Sequence, residues 1–326
     1  ETENKGFEAS VNWVAIDKKN FGLSFGANIS FNKNKIKSLG SLKTMSNDLT
    51  QSYWASSEIG QDYWIEVGGS VGKMYGYVSD GRYEVSDFER YDEVTETWIL
   101  RDGVSSSSAV GTARPGMMKL KDLDNSGDAN GSDDKRVIGD ANPLHTGGFN
   151  INARLYGFDL TANFNWSYGN DIYNANKIEY TSTSKYLYRN LTSDMAGGKR
   201  WNNVDAAGNL VTNMAQLAEM NQNTTMWSPY TDKYIFSDWA VEDGSFLRLN
   251  TLTLGYTMPT TLVKKVGINN LRFYVTAYNV FCLTSYSGYD PEVSTSRRNG
   301  SNLTPGVDYS AYPKSRQFVV GLNLNF

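Results

Sequence analysis

The chain has 326 residues, 40% hydrophobic and 13% aromatic, with a mean hydropathy of -0.48 and a formal charge of -4. No run of about 18 apolar residues occurs, which excludes a transmembrane helix, and the acidic balance argues against nucleic acid or an anionic lipid surface as a partner. A single cysteine, Cys282, excludes an internal disulfide framework and a thiolate metal cluster, and a single histidine, His145, leaves little for a triad or a zinc site. Low mean hydropathy says nothing against a barrel, because every second residue of a barrel strand is polar.

The first predicted element is a hairpin. Val11, Trp13 and Ala15 face Phe21, Leu23, Phe25, Ala27, Ile29 and Phe31 across a polar turn at 17–20, and Gly22, Ser24, Gly26, Asn28 and Ser30 line the other face. Residue types that repeat every second position form a strand with two unlike faces. The stretch 36–146 then reads as a long polar connection rich in Gly, Ser, Asn and aromatics.

Within that connection, oxygen-bearing side chains recur at Asp122, Asp124, Ser126, Asp128, Asn130 and Asp133, with Gly127 in the sixth place. That spacing matches an EF-hand-type calcium loop, with Asp in place of the usual final Glu. No flanking helix is evident, so the most this loop would hold is a structural calcium ion. The alternative is an acidic surface turn without an ion.

A second hairpin follows, with Ile151, Ala153 and Leu155 before a turn at Gly157 and Phe158, Leu160, Ala162, Phe164 and Trp166 after it. Its other face is Asp159, Thr161, Asn163, Asn165 and Ser167, small and polar as a water-filled lumen requires. After another long stretch, 169–244, strands are predicted from about Ser245 to Thr257 and from Leu271 to Leu283, joined by a turn containing Pro259. Leu247 and Leu249 share one parity while Leu252, Leu254 and Tyr256 take the other. A bulge near Asn250 or a change of environment explains that slip. Beyond the connection 284–315, Phe318, Val320, Leu322, Leu324 and Phe326 alternate with Gln317, Val319, Gly321, Asn323 and Asn325. A strand of that length, tilted, crosses the hydrocarbon layer, and a terminal Phe sits where outer-membrane barrels carry an aromatic girdle.

Short connections (17–20, Gly157, 258–270) alternate with long ones (36–146, 169–244, 284–315) along seven strands. Outer-membrane barrels put short turns in the periplasm and long loops outside. The expected fold is therefore all-β, a transmembrane antiparallel barrel with long extracellular loops. Single-chain bacterial barrels have at least eight strands and an even number, and lipid tolerates no open sheet edge. Residues 1–326 are accordingly expected to be the C-terminal part of a larger barrel, with further strands on the Phe7 side.

Several stretches resemble SusC/RagA-family TonB-dependent transporters of Bacteroidetes. They are Gly72-Lys73-Met74-Tyr75-Gly76-Tyr77 leading to Asp80-Gly81, and Arg114-Pro115-Gly116-Met117-Met118-Lys119-Leu120-Lys121-Asp122-Leu123-Asp124 with Val137-Ile138-Gly139 and Pro143. Gly169-Asn170-Asp171-Ile172-Tyr173-Asn174 follows them, then Ser245 to Tyr256 with Pro259, Leu271 to Val275, Tyr278 to Phe281 and Tyr286 to Val293. They run in the family's order over nearly the whole chain. Asn125-Ser126 stands where the family's acidic loop more often has Gly-Asp, and nothing here corresponds to the plug, the TonB-binding segment or the N-terminal extension.

The resemblance implies a 22-stranded barrel with an internal plug, of which this chain is about the last third. It also implies a SusD-like surface lipoprotein partner, energy from TonB through the plug, and active import of oligosaccharide or peptide across the outer membrane. Candidate substrate contacts are Tyr173, Trp201, Trp227, Tyr286, Tyr289 and Asp290, because aromatic faces stack on sugar rings or apolar side chains. The alternative for each is loop packing or contact with the lipoprotein. A surface carbohydrate-binding or adhesin β-sandwich is the second reading of the chain. A glycoside hydrolase is the third, and Glu58, Asp62 and Glu66 are only scattered acids in a loop. No catalytic motif is present, so the chain is not expected to be an enzyme.

Overall fold

A computed structural model describes residues 1–46, 48–55, 58–183, 185, 188–295 and 302–326. Its spine is one antiparallel sheet of seven strands: β1 (Thr2–Lys18), β2 (Phe21–Ile36), β3 (His145–Leu155), β4 (Phe158–Tyr168), β5 (Phe246–Thr257), β6 (Asn270–Thr284) and β7 (Gln317–Asn325). Sheet order follows chain order, so every neighbour is the next strand in sequence. These are the seven strands expected from the alternation, with ends displaced by a few residues. β1 and β2, at 17 and 16 residues, are longer than the roughly 9–11 needed to cross a bilayer and continue past it at the long-loop end.

Register makes the two faces continuous. One row across the sheet pairs Trp13, Phe25, Ile151, Ala162, Leu252, Ala277 and Phe318 in succession. The next row, on the other face, pairs Asn12, Gly26, Asn150, Asn163, Thr251, Tyr278 and Gln317. Directly paired residues share a face, and a slip of one residue would exchange the faces of a whole strand. The parity change in β5 is a bulge: Leu249 pairs with Phe281 but Thr251 with Tyr278, leaving Asn250, Asn279 and Val280 outside the ladder. Asn279 adopts the left-handed region (φ 50) there.

Among the described residues nothing covers the apolar face. Phe7, Val11, Phe318 and Val320 remain 60–79% exposed. A β-sandwich would bury such side chains under a second sheet, so the adhesin-like sandwich does not describe this chain. The uncovered face is suited to lipid.

The buried core lies instead in the three long connections. Residues between β2 and β3 form a four-stranded sheet (Lys135–Asp140, Lys73–Tyr77, Tyr63–Glu66, Thr44–Met45) and the hairpin Phe88–Asp92/Thr97–Leu100. A small sheet of Asp171–Asn174, Val241–Asp243 and Val307–Asp308 ties the second connection to the third. One apolar cluster joins Tyr83, Phe88, Met117, Trp201, Leu217 and Trp227, and another joins Trp54, Tyr63, Met74, Tyr173, Phe236 and Val307. All three connections thus share one packed cap at the end opposite the short turns. At that short-turn end, Tyr156 (φ 46) and Gly157 (φ 88) carry the paired positive φ values that a tight β3–β4 hairpin demands.

Candidate functional site

Charge on the polar face of the sheet is confined to its two ends. Near the short turns, Arg154 reaches Asp17 at 2.8 Å, and Arg272 grips Asp159 through two bonds of 2.9 and 2.5 Å. The second pair lies flat across β5 because Gly255 offers no side chain there: a Cβ would stand 2.4–2.7 Å from the guanidinium and the carboxylate. Between the two ends of β1–β4 the polar face is uncharged, made of Asn, Ser, Thr and Gly with Val14 among them.

At the capped end Arg248 on β5 is buried, donates to two acceptors and stands beside a third. Its Nη1 donates to Asn279 Oδ1 at 2.5 Å, its Nη2 to Asp290 Oδ1 at 2.6 Å, and its Nε lies 2.8 Å from Glu292 Oε2. Glu292 also accepts from Lys314 Nζ at 2.5 Å, and the Asn279 amide donates to Lys314 O. The β5–β6 bulge therefore has a use: it turns Asn279 towards the lumen, where it helps fix both ends of the third connection. Sequence reasoning missed Arg248 as a functional residue. Its signal was a basic residue of lumen parity next to a break in phase.

The structure packs five of the six candidate substrate contacts inside protein. Tyr173 is fully buried, stacked on Phe236 with centroids 3.7 Å apart, and its hydroxyl accepts from Trp54 Nε1 at 2.6 Å. Trp201 is buried with the Arg82 guanidinium 4.7 Å over its ring. Trp227 packs edge-on to Trp239, centroids 4.5 Å apart. Tyr286 donates to the buried Asp308 at 2.6 Å, and burial with that carboxylate raises the phenol far above its ordinary pKa. Asp290 is spent on Arg248. Only Tyr289 of the six presents its ring to solvent, at 83% exposure. The other five pack inside the cap against neighbouring side chains, with Trp201 Nε1 buried and without a hydrogen-bond partner among the described residues.

The acidic loop closes differently from its expected ligand set. Carboxylate oxygens of Asp122, Asp124 and Asp134 come within 4.8 Å of one another. Asp134 replaces Asp133 because it turns inward to accept from Leu123 N at 2.8 Å and Asn130 N at 2.9 Å, while Asp133 is exposed. Asp128 stands outside the group, since its carboxylate accepts from Ser106, from Ser108 twice and from Asn130. Desolvation pushes that carboxyl up, yet those donors outweigh it and hold it well below the usual carboxylate range. Ser126 donates to Asp128 O, and Asn130 spends its amide on Asp128. Three converging carboxylates on a tight loop suit a hard cation.

A second acid, Asp62, lies under the cap. Ser52 N donates to it at 2.8 Å and the Ser52 hydroxyl donates to its other oxygen. Complete burial pushes its carboxyl up to about 7, against the pull of Ser52 and of the Lys135 ammonium.

No family model matches the chain. Among curated relatives, TonB-dependent receptor P3 of Formosa agariphila is 31% identical over 328 residues, a match to 100% of this chain and 29% of that protein. TonB-dependent receptor SusC of Bacteroides thetaiotaomicron is 25% identical over 99% of this chain and 26% of its own length. The chain thus spans less than a third of the relatives it matches. Among solved structures, the RagAB peptide importer in its closed-closed state superposes on 100% of this chain with a TM-score of 0.67, at 20% identity and over 30% of its own chain. The resemblance carried by the motifs from Gly72 to Val293 is therefore general along the chain: it is homologous over its whole length to TonB-dependent receptors, SusC among them, and its seven strands form wall of that type of barrel.

Proposed function

We propose that this chain supplies the C-terminal wall and extracellular cap of an outer-membrane importer for oligomeric nutrients, oligosaccharide or peptide. Import draws energy from TonB through the plug of the complete receptor, and a SusD-like surface lipoprotein seats on the cap. The observation that carries this reading is the sheet itself: one uncovered apolar face across seven strands, backed by a polar face that three folded connections overhang. Homology to TonB-dependent receptors over the full chain, and a solved relative that is a peptide importer, support it. The test is deletion of the gene in its native host, with outer-membrane fractionation of a tagged copy and uptake of labelled oligosaccharides and peptides. Energy-dependent uptake by the parent that disappears in the deletant, with a lipoprotein co-purifying, is the expected result. A copy found outside the outer membrane would sink the reading.

The acidic loop is proposed to hold a structural calcium ion on Asp122, Asp124 and Asp134. Terbium luminescence of the purified receptor is expected to rise on titration and to be reversed by calcium. Asp134→Asn should weaken it at least tenfold, whereas Asp133→Asn should leave it unchanged. Equal effects of the two substitutions would count against this ligand set.

A further inference from the structure

The outer ends of β1 and β2 carry a chemistry that the lipid-facing wall below them does not. On β2 that face is apolar from Phe21 to Phe31, about the 9–11 residues a tilted strand needs to cross the hydrocarbon layer. Phe31 pairs with Phe7. The next two rows of the same parity pair Lys5 with Lys33 and Glu3 with Lys35, and Lys37 follows. Register between the two strands is unbroken from Val14 outwards, so these side chains stay on the lipid-facing side. The lysines therefore begin one row above the phenylalanines, about 7 Å along the strand, at the level of the lipid head groups. The overall charge of -4, which sets the chain at large against an anionic lipid surface, hides this local excess.

Neutralisation within the chain is incomplete. Lys5 and Lys33 face each other directly, and like charges so placed destabilise a strand pair. Glu3 is shared, 3.2 Å from Lys5 Nζ and 3.4 Å from Lys37 Nζ. Lys33 and Lys35 are exposed and have no ion-pair partner among the described residues, and Glu1 has none either. Beyond the end of β3 the edge of β2 borders a recess of about 540 Å³, lined by Lys5, Lys33, Lys35 and Lys73 with Glu3 and Asp140. Asp140 is held by Lys73 at 2.7 Å, so both carboxylates of the recess are already paired. Leu144 lines the same recess and is exposed, as is Phe7 on the row below the lysines.

An ammonium is a compact point charge that binds phosphate oxygens, and clusters of lysines at a membrane surface select anionic head groups. A ligand that meets both this cluster and the phenylalanine row beneath it must carry phosphate and hydrocarbon together. We propose that the outer end of β1–β2 is a seat for a phosphorylated acyl lipid of the outer leaflet. Its phosphate lies among Lys5, Lys33 and Lys35, and its chains run against Phe7 and Phe31. A phosphate there also relieves the opposition of Lys5 and Lys33. The seat rests on the outer-membrane placement proposed above and is independent of what the receptor imports.

The test uses the complete receptor, purified in detergent and checked for assembly by resistance to unfolding in gels. Native mass spectrometry measures binding of bisphosphorylated lipid A and of the same lipid stripped of its phosphates, with inorganic phosphate as competitor. The parent is compared with Lys33→Gln plus Lys35→Gln, with Lys33→Arg plus Lys35→Arg, and with a control at the short turn, Lys18→Gln plus Lys19→Gln. The parent, the Arg pair and the control are expected to bind lipid A at least about tenfold more tightly than the Gln pair does. The parent should show the same preference for lipid A over the stripped lipid. Equal binding of the two lipids by the parent overturns the proposal, as it would if acids of a neighbouring receptor strand already met the lysines. That comparison needs no variant, so it decides even where the Gln pair fails to assemble. An equal loss in the control shows charge attraction without a site and overturns it too. Displacement of lipid A by inorganic phosphate assigns a free-anion site instead. If the Gln pair keeps lipid A but loses a co-purifying lipoprotein, the surface is a protein interface and the proposal falls. Each of these failures leaves the outer-membrane placement standing, whereas a receptor found outside that membrane overturns both.

Discussion

Arg248→Met is expected to release the third long connection from the wall, at a cost of about 3–5 kcal/mol for removing one partner of a buried ionic cluster. Asp290 would be left buried and charged without its guanidinium, and Glu292 would keep Lys314 and the Asn165 amide. Hydrogen exchange of the complete receptor should show residues 285–295 and 302–316 losing about two to three orders of magnitude of protection, with β1–β4 unaffected. Arg248→Lys should recover only part of it, because an ammonium cannot reach Asn279, Asp290 and Glu292 from one fixed plane. Asp290→Asn with Glu292→Gln in the Arg248→Met background should restore protection, since it leaves no unpaired buried charge and the freed Lys314 is half-exposed. Protection in Arg248→Met equal to that of the parent would show that Pro291 and the neighbouring packing alone hold the connection.

The cap around Ser52 and Asp62 should weaken as pH rises from about 4 to about 7. Asp62 titrates near 7 when folded and near 3.8 when exposed, burial being the main cause and Ser52 and Lys135 opposing it. Below pH 4 both states hold the proton and the contribution is fully present. Between 4 and 7 only the folded state holds it, so stability falls by about 1.4 kcal/mol per unit, roughly 4 kcal/mol in all, and levels off above 7. Exchange protection of residues 48–55 and 58–66, corrected for intrinsic rates, should follow that slope. Asp62→Asn should flatten it, because the amide carbonyl still accepts from Ser52 N and nothing ionises. A flat profile in the unsubstituted protein, or the same slope in the variant, would show that the folded carboxyl is already ionised at low pH.

The strands were legible and the cap was not, for one physical reason. A strand's faces are written in residues two apart, so Phe158 to Trp166 and Phe318 to Phe326 announced their environment locally. Even the β5 bulge showed itself, as Leu249 and Leu252 falling out of phase. The strand ends were harder, and β1 begins well before Phe7 because its outer half follows β2 beyond the hydrocarbon layer. The cap depends on partners far apart in sequence. Trp54 and Tyr173 meet across 119 residues, and Arg248 and Asp290 across 42. A tyrosine in a stretch rich in Gly, Ser and Asn looks the same whether it faces cargo or another aromatic ring. For that reason the sequence alone offered Tyr173, Trp201, Trp227 and Tyr286 as ligand contacts, and in the structure all four are buried in the cap. The acidic loop was found by spacing, but Asp133 and Asp134 are adjacent acids, and only the entry into the strand Lys135–Asp140 decides which turns inward.

The apolar cluster of Trp54, Tyr63, Tyr173 and Val307, fed by all three long connections, also sets an order of events. Three of the six wall pairings, β1–β2, β3–β4 and β5–β6, close across short turns at little cost in chain entropy, while the other three span the long connections. The parallel pairing of Tyr173 with Val307 spans more than 130 residues and gains nothing until the strands between them are aligned. That pairing is therefore expected to close after the three hairpins, and until it does the tyrosines and tryptophans of the cluster stand uncovered.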